Sequence, residues 1–400
     1  KDEKIEPIIS KKCASCEYKN DEDYTKSGFH ICWKQKLVWS DAEFKKPLVL
    51  ELWSHRNKDG FLNEGRYFLE DITEDDFKNL DSDTTQLTTQ QRQFLQVQKV
   101  KENDDSVYFD KESMKLEIES WTYPLHCIDF ETMANAIPFN KGMHPYESVA
   151  FQFSHHIIYE DGKVEHKGEY INKEQGKFPN FDFLRALKKE LEIDNGTIFR
   201  YSAHENTILN HIYRQLENSN VKDKEELQEF IFSITYDRDI EHIGNRNMVD
   251  LLELVKDYYY DPVTRGSNSI KYVLPAIINR SKYLQDKYSK PKYGTSQVPS
   301  KNFQNFIWIQ KDEDGNIKDP YKLLPKIFED IDAEDEQKLL NESEELRNGA
   351  AAMTAYARMQ FTQMSNYEKE SLTKALLKYC ELDTFAMVLL LEEWINESKN

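Results

Sequence analysis

Cysteine is scarce in this chain, five in 400 residues, which excludes a disulfide-framed scaffold and points to a reducing, cytoplasmic setting. No stretch approaches the ~20 apolar residues that a membrane-spanning helix needs. The longest late run, Phe385 to Leu391, reads instead as a buried helix face. The polar start, Lys1-Asp2-Glu3-Lys4, has no apolar core of a signal peptide, and a chain that opens on Lys rather than Met reads as a fragment of something longer. Internal repeats are absent. Positive charge is also short: the formal net charge is −19, which argues against tight nonspecific adhesion to long duplexes, because Lys and Arg contacts to phosphate dominate that affinity. Work on a polyanionic substrate is not excluded, since metal ions at a carboxylate cluster neutralise such a substrate locally.

What is present supports a packed globule: 39% hydrophobic residues with 12% aromatics. At this length one core rarely suffices, so a large domain with a smaller appendage is expected. The basic segment Arg265 to Lys292, with Arg265, Lys271, Arg280, Lys282, Lys287, Lys290 and Lys292 against Asp286, is a candidate nucleic-acid face or an ordinary solvated surface, and Lys271 and Tyr272 are its candidate substrate contacts. Asp312 to Glu345 is strongly acidic and reads as a solvated loop and helix face.

Residues 1–35 carry Cys13-Ala14-Ser15-Cys16 and then Cys32. Two cysteines two residues apart can present both thiolates to one metal, and Cys32 adds a third ligand. A fourth ligand from His30 would complete a zinc site; a cysteine outside this chain would complete an iron-sulfur cluster. The alternative is a remnant without metal. Cys127 and Cys380 lie in apolar surroundings and read as packing residues. Residues 36–120 read as a connector or cap, with a strand-like piece at Pro47 to Trp53 and helices at Thr88 to Val100 and Lys111 to Trp121.

From residue 121 to 400 strand and helix patterns alternate, which predicts an α/β domain beside the smaller α+β N-terminal region. Strands are expected at Leu125 to Phe130, Ser148 to Ile158 and Lys163 to Ile171, the last two joined at Asp161-Gly162, and at Thr197 to Tyr201. Helices are expected at Phe181 to Leu191, Glu205 to Leu216, Ser267 to Ile278 and Tyr367 to Ile395, and Asn247 to Leu254 approaches the sheet again.

Asp129-Phe130-Glu131-Thr132 ends the first strand. Alternate strand residues face one way, so Asp129 and Glu131 project together while Phe130 turns to the core. On the last helix, Tyr379 and Asp383 are four apart and share a face. Carboxylates delivered to one point by distant segments are what a pair of hard divalent cations needs.

The first-strand acids and Tyr379-x-x-x-Asp383, in this order, resemble the first and third motifs of the tyrosine branch of the DEDD exonuclease superfamily. The resemblance implies a ribonuclease H-like mixed sheet flanked by helices. Its second motif falls on Phe199 to Glu205, with Glu205 as the acid; the chain departs from the pattern by having Glu for Asp there, and Tyr201 where the superfamily has Asn. More closely, Pro138-Phe139, Pro145-Tyr146, Phe151 to His156, Asp250-Leu251-Leu252, Gly266 to Pro275 and Tyr379 to Thr384 resemble a bacterial domain of unknown function found C-terminal to RecB-like nuclease modules. Even Cys13 to Trp33 is similar to the cysteine-rich end of such a module, while the module's own catalytic acids have no counterpart here.

The resemblance implies that Asp129, Glu131, Glu205 and Asp383 hold two Mg²⁺ or Mn²⁺ ions, that Tyr379 orients the attacking water, and that the substrate is DNA or RNA with a free 3′ end. Asp250 is expected to play a supporting role outside the metal shell. His155 and His156 face opposite ways, so at most one reaches the site, and Gln152 and Ser154 are expected to hydrogen-bond at the edge of the core. Two other readings stand beside the exonuclease: a catalytically inactive ribonuclease H-like module that binds nucleic acid or protein, and a cysteine-metal structural module whose acids only cap helices and turns.

Overall fold

The computed structural model describes residues 6–21, 23–82, 86–140, 142–325 and 349–399, so part of the acidic stretch Asp312 to Glu345 lies outside the described residues. Among these, no helix is long and apolar enough to cross a membrane. By contact the chain divides into two compact units, 1–113 with 254–276, and 114–253 with 277–400.

The first unit is built on short helices around Phe29, Trp33, Phe44, Val49, Leu52, Phe61, Leu69, Ile72 and Val97. Pro47 to Trp53 is not a strand: Val49–Glu51 is a 3-10 turn, and Leu48 makes only an isolated bridge to Phe68. The apolar run is buried there by helices, not by a ladder, and a short apolar run does not by itself separate those outcomes. Thr89–Glu102 is a helix begun by a capping box between Thr88 and Gln91. Its Arg92 guanidinium ties 254–276 into this unit, with Nη1 donating to the carbonyls of Val255 (3.1 Å), Lys256 (3.0 Å) and Tyr259 (2.7 Å), and Nη2 to Asn268 Oδ1 (2.6 Å). Lys271 and Tyr272, grouped by sequence with 121–400, therefore belong to the first unit. Arg265 of the basic segment is paired with Glu51 at 3.2 Å.

The second unit is a five-stranded mixed sheet flanked by helices. Its strands are β1 (Leu125–Ala134), β2 (Ser148–Ile158), β3 (Val164–Ile171), β4 (Ile198–Arg200) and β5 (Val249–Asp250), in the order β3-β2-β1-β4-β5. β1–β2 and β2–β3 are antiparallel; β1–β4 and β4–β5 are parallel. The helices are α1 (Asn180–Leu191), α2 (His204–Glu217), α3 (Lys224–Ile234), α4 (Lys282–Tyr288), α5 (Gly349–Phe361) and α6 (Asn366–Glu397). α3 fills a stretch between the expected helix Glu205 to Leu216 and Asn247 to Leu254 for which no element is expected: Leu227, Phe230, Ile231 and Ile234, at helical spacing, bury its inner face.

β1 is central, and its period-two alternation sorts chemistry from core. Ile128 and Phe130 enter a cluster with Phe153, Phe183, Leu184, Leu187, Ile208, Leu209 and Ile212 from β2, α1 and α2. Asp129 and Glu131 take the other face. Across the ladder they oppose Ser154 and Gln152, and that face meets α6, where Gln152 Nε2 donates to the Leu376 carbonyl at 2.7 Å. α6 starts at a capping box between Ser365 and Glu368 and continues for 32 residues because its second half is buried almost without interruption, from Tyr379 to Leu391.

Candidate metal centre

The second unit brings the sequence-predicted acids together from three elements. β1 carries Asp129 and Glu131, and the ladder register shifts immediately after Glu131, a bulge of the kind that re-aims side chains. α6 carries Tyr379, Cys380 and Asp383. Carboxylate oxygens of Asp129 and Glu131 and the Cys380 Sγ all lie within 4.8 Å of one another. Burial raises the Asp129 carboxyl well above the usual range, and the charges of Asp383, Glu205 and Glu131 raise it further. Each of those three carboxylates is thus close enough to Asp129 to repel its ionised form.

Glu205 arrives from the first turn of α2, through a strained turn. Ser202 holds φ at +84°, a conformation costly for a non-glycine residue. The turn is clamped: Asp250 on β5 accepts from Ser202 N at 2.8 Å and from Leu252 N at 3.0 Å, and pairs with Arg200 on the neighbouring strand at 2.6 Å. Arg200 also donates to the Ser202 carbonyl. Asp250 thus braces the turn that leads to Glu205. Glu205 is buried, and its Oε2 has no hydrogen-bond partner among the described residues. Burial lifts its carboxyl to about 8 and Asp250 adds to that, opposed by its own backbone, Arg200 and the Phe130 backbone. Asp250→Ala strands the buried Arg200 charge, so it is expected to cost about 3 kcal/mol in urea denaturation; an unchanged midpoint would refute the clamp.

Sequence reasoning missed two neighbours of the acids. Cys380, expected only to pack, faces them: its Sγ lies 3.7 Å from both the backbone oxygen and Oδ2 of Asp129. Burial, then Asp129, Glu131 and Asp383, push the thiol well up, so without a cation it is an S–H and a weak donor. Cys127 is simply buried. The second is Tyr321, on a 3-10 turn at Pro320–Leu323, whose hydroxyl donates to Asp383 Oδ1 at 2.6 Å. Its ring centroid lies 6.5 Å from that of Tyr379. Nothing in the periodicity around Tyr321 marks it; only its aromatic character in a polar stretch could have done so. Tyr379 is buried, and its phenol is held far above its ordinary range by burial and then by Asp383, Glu131 and Asp129.

His156 takes the acid-facing side of β2 and bonds Thr384 Oγ1 at 2.7 Å, while His155 faces away, 2.9 Å from His126. Ser154 also faces α6, 2.7 Å from Thr384 Oγ1. His166, Glu169 and Glu381 form a further group of close ligand atoms. There, however, the Asn302 amide Nδ2 donates to Glu169 Oε2 at 2.6 Å and Glu381 Oε2 at 2.8 Å, so an uncharged donor already serves both carboxylates.

Cys13, Cys16 and Cys32 are free thiols, the last exposed on the helix Gly28–Leu37. They form no group of ligand atoms within 4.8 Å of one another. His30 is turned elsewhere, stacked on Tyr24 with Nδ1 2.6 Å from Ser27 Oγ.

A family model described as a domain of unknown function, DUF2779, matches residues 126–269. The matched stretch contains Asp129, Glu131, Glu205 and Asp250 and ends before Tyr379 and Asp383. No curated protein and no solved structure matches the chain.

Proposed function

We propose that this chain is a metal-dependent nuclease of the DEDD type, with a ribonuclease H-like domain, that hydrolyses phosphodiester bonds of single-stranded DNA or RNA from a free 3′ end. The observation that carries this reading is that Asp129 and Glu131 present ligand atoms within 4.8 Å of each other, with Asp383 and Glu205 close enough to act on the Asp129 charge and Tyr379 under the influence of Asp383, Glu131 and Asp129. The DEDD assignment and the 3′ polarity rest on the resemblance of the motifs. So does a natural position C-terminal to a RecB-like module.

The residues fit a hard divalent cation. Glu131, Glu205 and Asp383 all act on the charge of Asp129, and the buried Glu205 Oε2 has no hydrogen-bond partner among the described residues. Oxygen donors of this kind suit Mg²⁺ or Mn²⁺. Asp129, Glu131, Glu205 and Asp383 would hold the ions, which when bound supply water activation and charge neutralisation at phosphorus.

The chain's own groups do the rest. Without neutralisation the cluster repels a phosphodiester, so substrate entry depends on cation loading. Tyr379, whose phenol stays protonated at every working pH, donates a hydrogen bond that orients the attacking water and does not act as the base. Cys380 and Tyr321 donate to Asp129 and Asp383 respectively, fixing the carboxylate planes.

The reading is tested on 3′-labelled and 5′-labelled single-stranded DNA and RNA with Mg²⁺, Mn²⁺ or EDTA. Shortening from the 3′ end that EDTA abolishes is expected, with kcat about a hundredfold lower in Tyr379→Phe, the scale of a misplaced reactant. Metal binding without cleavage of any substrate would assign the chain instead to a non-catalytic nucleic-acid-binding or protein-binding role.

A further inference from the structure

Behind the acid cluster lies a closed hydrogen-bonded ring of six buried side chains. His156 Nδ1 meets Thr384 Oγ1 at 2.7 Å; Thr384 Oγ1 meets Ser154 Oγ at 2.7 Å; Ser154 Oγ meets His166 Nε2 at 3.1 Å. His166 Nδ1 lies 3.1 Å from Glu381 Oε2, Tyr293 donates to Glu381 Oε1 at 2.5 Å, and His156 Nε2 closes the ring on the Tyr293 hydroxyl at 2.9 Å. Ser300 and Asn302 add donors to the two oxygens of Glu381. Each of the six side chains thus has its polar atoms hydrogen-bonded within the ring or to Ser300 and Asn302.

Two features make the ring more than core stabilisation. First, Glu381 and Thr384 flank Cys380 and Asp383 on α6, and Ser154 is the cross-strand partner of Asp129. The ring therefore ties the strand pair that presents two acids to the helix that presents the third acid and the tyrosine. Second, one stretch of chain, residues 293–321, grips α6 at two adjoining points: Tyr293, Ser300 and Asn302 at Glu381, and Tyr321 at Asp383. A helix packed by apolar contacts alone can roll about its axis with small loss, whereas directional bonds at positions 381, 383 and 384 fix that roll.

We propose that the segment 293–321 and the buried ring are a positioning device for the metal centre, with Glu381, Thr384, Tyr293 and Tyr321 as positioning residues that set where Tyr379 and Asp383 stand relative to Asp129 and Glu131. This rests on the nuclease reading above. The sensitivity is chemical: a displacement of about 1 Å at reacting groups costs on the order of a hundredfold in rate, and a carboxylate that has rolled away ligates a cation poorly.

Tyr293→Phe, Thr384→Val and Tyr321→Phe each remove one hydroxyl and keep the side-chain volume. Each is expected to lower kcat roughly tenfold, part of the rate cost of displaced reacting groups, and to raise the Mn²⁺ concentration for half activity severalfold. KM for an oligonucleotide should stay unchanged, and Thr384→Ser should restore the wild-type values. Calorimetric Mn²⁺ titration reads the affinity change without turnover. The control is Tyr356→Phe, which also loses a buried hydroxyl bond, to Asn172 at 2.8 Å, away from the ring; its kcat and Mn²⁺ response should match wild type. Wild-type kcat and Mn²⁺ affinity in the Tyr293, Thr384 and Tyr321 variants would overturn the proposal, even if their melting temperatures fell, and so would an equal loss in Tyr356→Phe. A wild type that neither binds Mn²⁺ nor cleaves any substrate would remove the nuclease reading itself, and the positioning role with it.

Discussion

Asp129→Asn is expected to abolish metal-dependent cleavage and, in the same protein, to raise the melting temperature in EDTA by a few degrees. The two effects have one cause. Asp129 sits on the central strand where burial and three neighbouring carboxylates oppose its charge, so the folded, metal-free protein either keeps a proton there that the unfolded chain would release or tolerates the repulsion. An amide of the same shape has neither problem, which relieves the folded state. The same amide cannot supply the anionic oxygen that a cation needs, and the loss of rate should reach at least about a hundredfold, the scale seen when one preorganised electrostatic group is removed. Circular-dichroism melts and the labelled-oligonucleotide assay on the one preparation check both halves. A variant that is less stable in EDTA than wild type would show that Asp129 holds the fold together rather than straining it.

The second large effect is a dependence of stability on pH and on divalent cation together. A carboxyl raised in the folded state binds a proton there that the unfolded chain has lost, so its contribution is favourable at low pH and falls as pH rises through the folded value. For Glu205 the ordinary value is 4.5 and the folded one about 8; at about 1.4 kcal/mol per pKa unit, a few kcal/mol are at stake. Buried histidines pull the other way. His126 is lowered to about 4, by burial first, and His155 and His156 are lowered by the same cause, so they cost stability as pH falls below their ordinary 6.5. The carboxylates are therefore isolated between about pH 6.5 and 8. In EDTA, stability is expected to fall across that window, and Glu205→Gln to flatten the fall. Saturating Mn²⁺ should reverse it, because a ligand at a hundred times its Kd adds about 2.7 kcal/mol, and the gain should be larger at pH 8 than at pH 6.5. Melts in EDTA that do not change over this window would contradict the strained cluster.

Much of the second unit was legible because its signals are local. β2 spans Ser148–Ile158 as read, since a long run of β-branched and aromatic residues bounded by turn residues leaves little choice. α1, α2 and α6 agree with their readings to within a few residues, because apolar spacing and caps mark helices in the chain itself. The pairs Asp129–Glu131 and Tyr379–Asp383 were legible for the same reason: periods of two and of four dictate shared facings. α3 was overlooked because its charged outer residues masked a regular buried face. Pro47 to Trp53 was misread because a short apolar run has no period long enough to distinguish its two structures.

Local periodicity, then, determined which residues stand side by side on one strand or one helix, and with that the carboxylates, the tyrosine and the alternation that separates them from the core. Only the tertiary structure decided what faces them: the Asp250–Arg200 clamp under Glu205, Cys380 against Asp129, Tyr321 on Asp383, and the ring that joins β2 and β3 to α6. Those partners are separated by tens to hundreds of residues, and a hydrogen bond between such positions leaves no trace in the spacing of either segment. It exists because burying polar groups demands partners, and the fold chooses which partners are within reach.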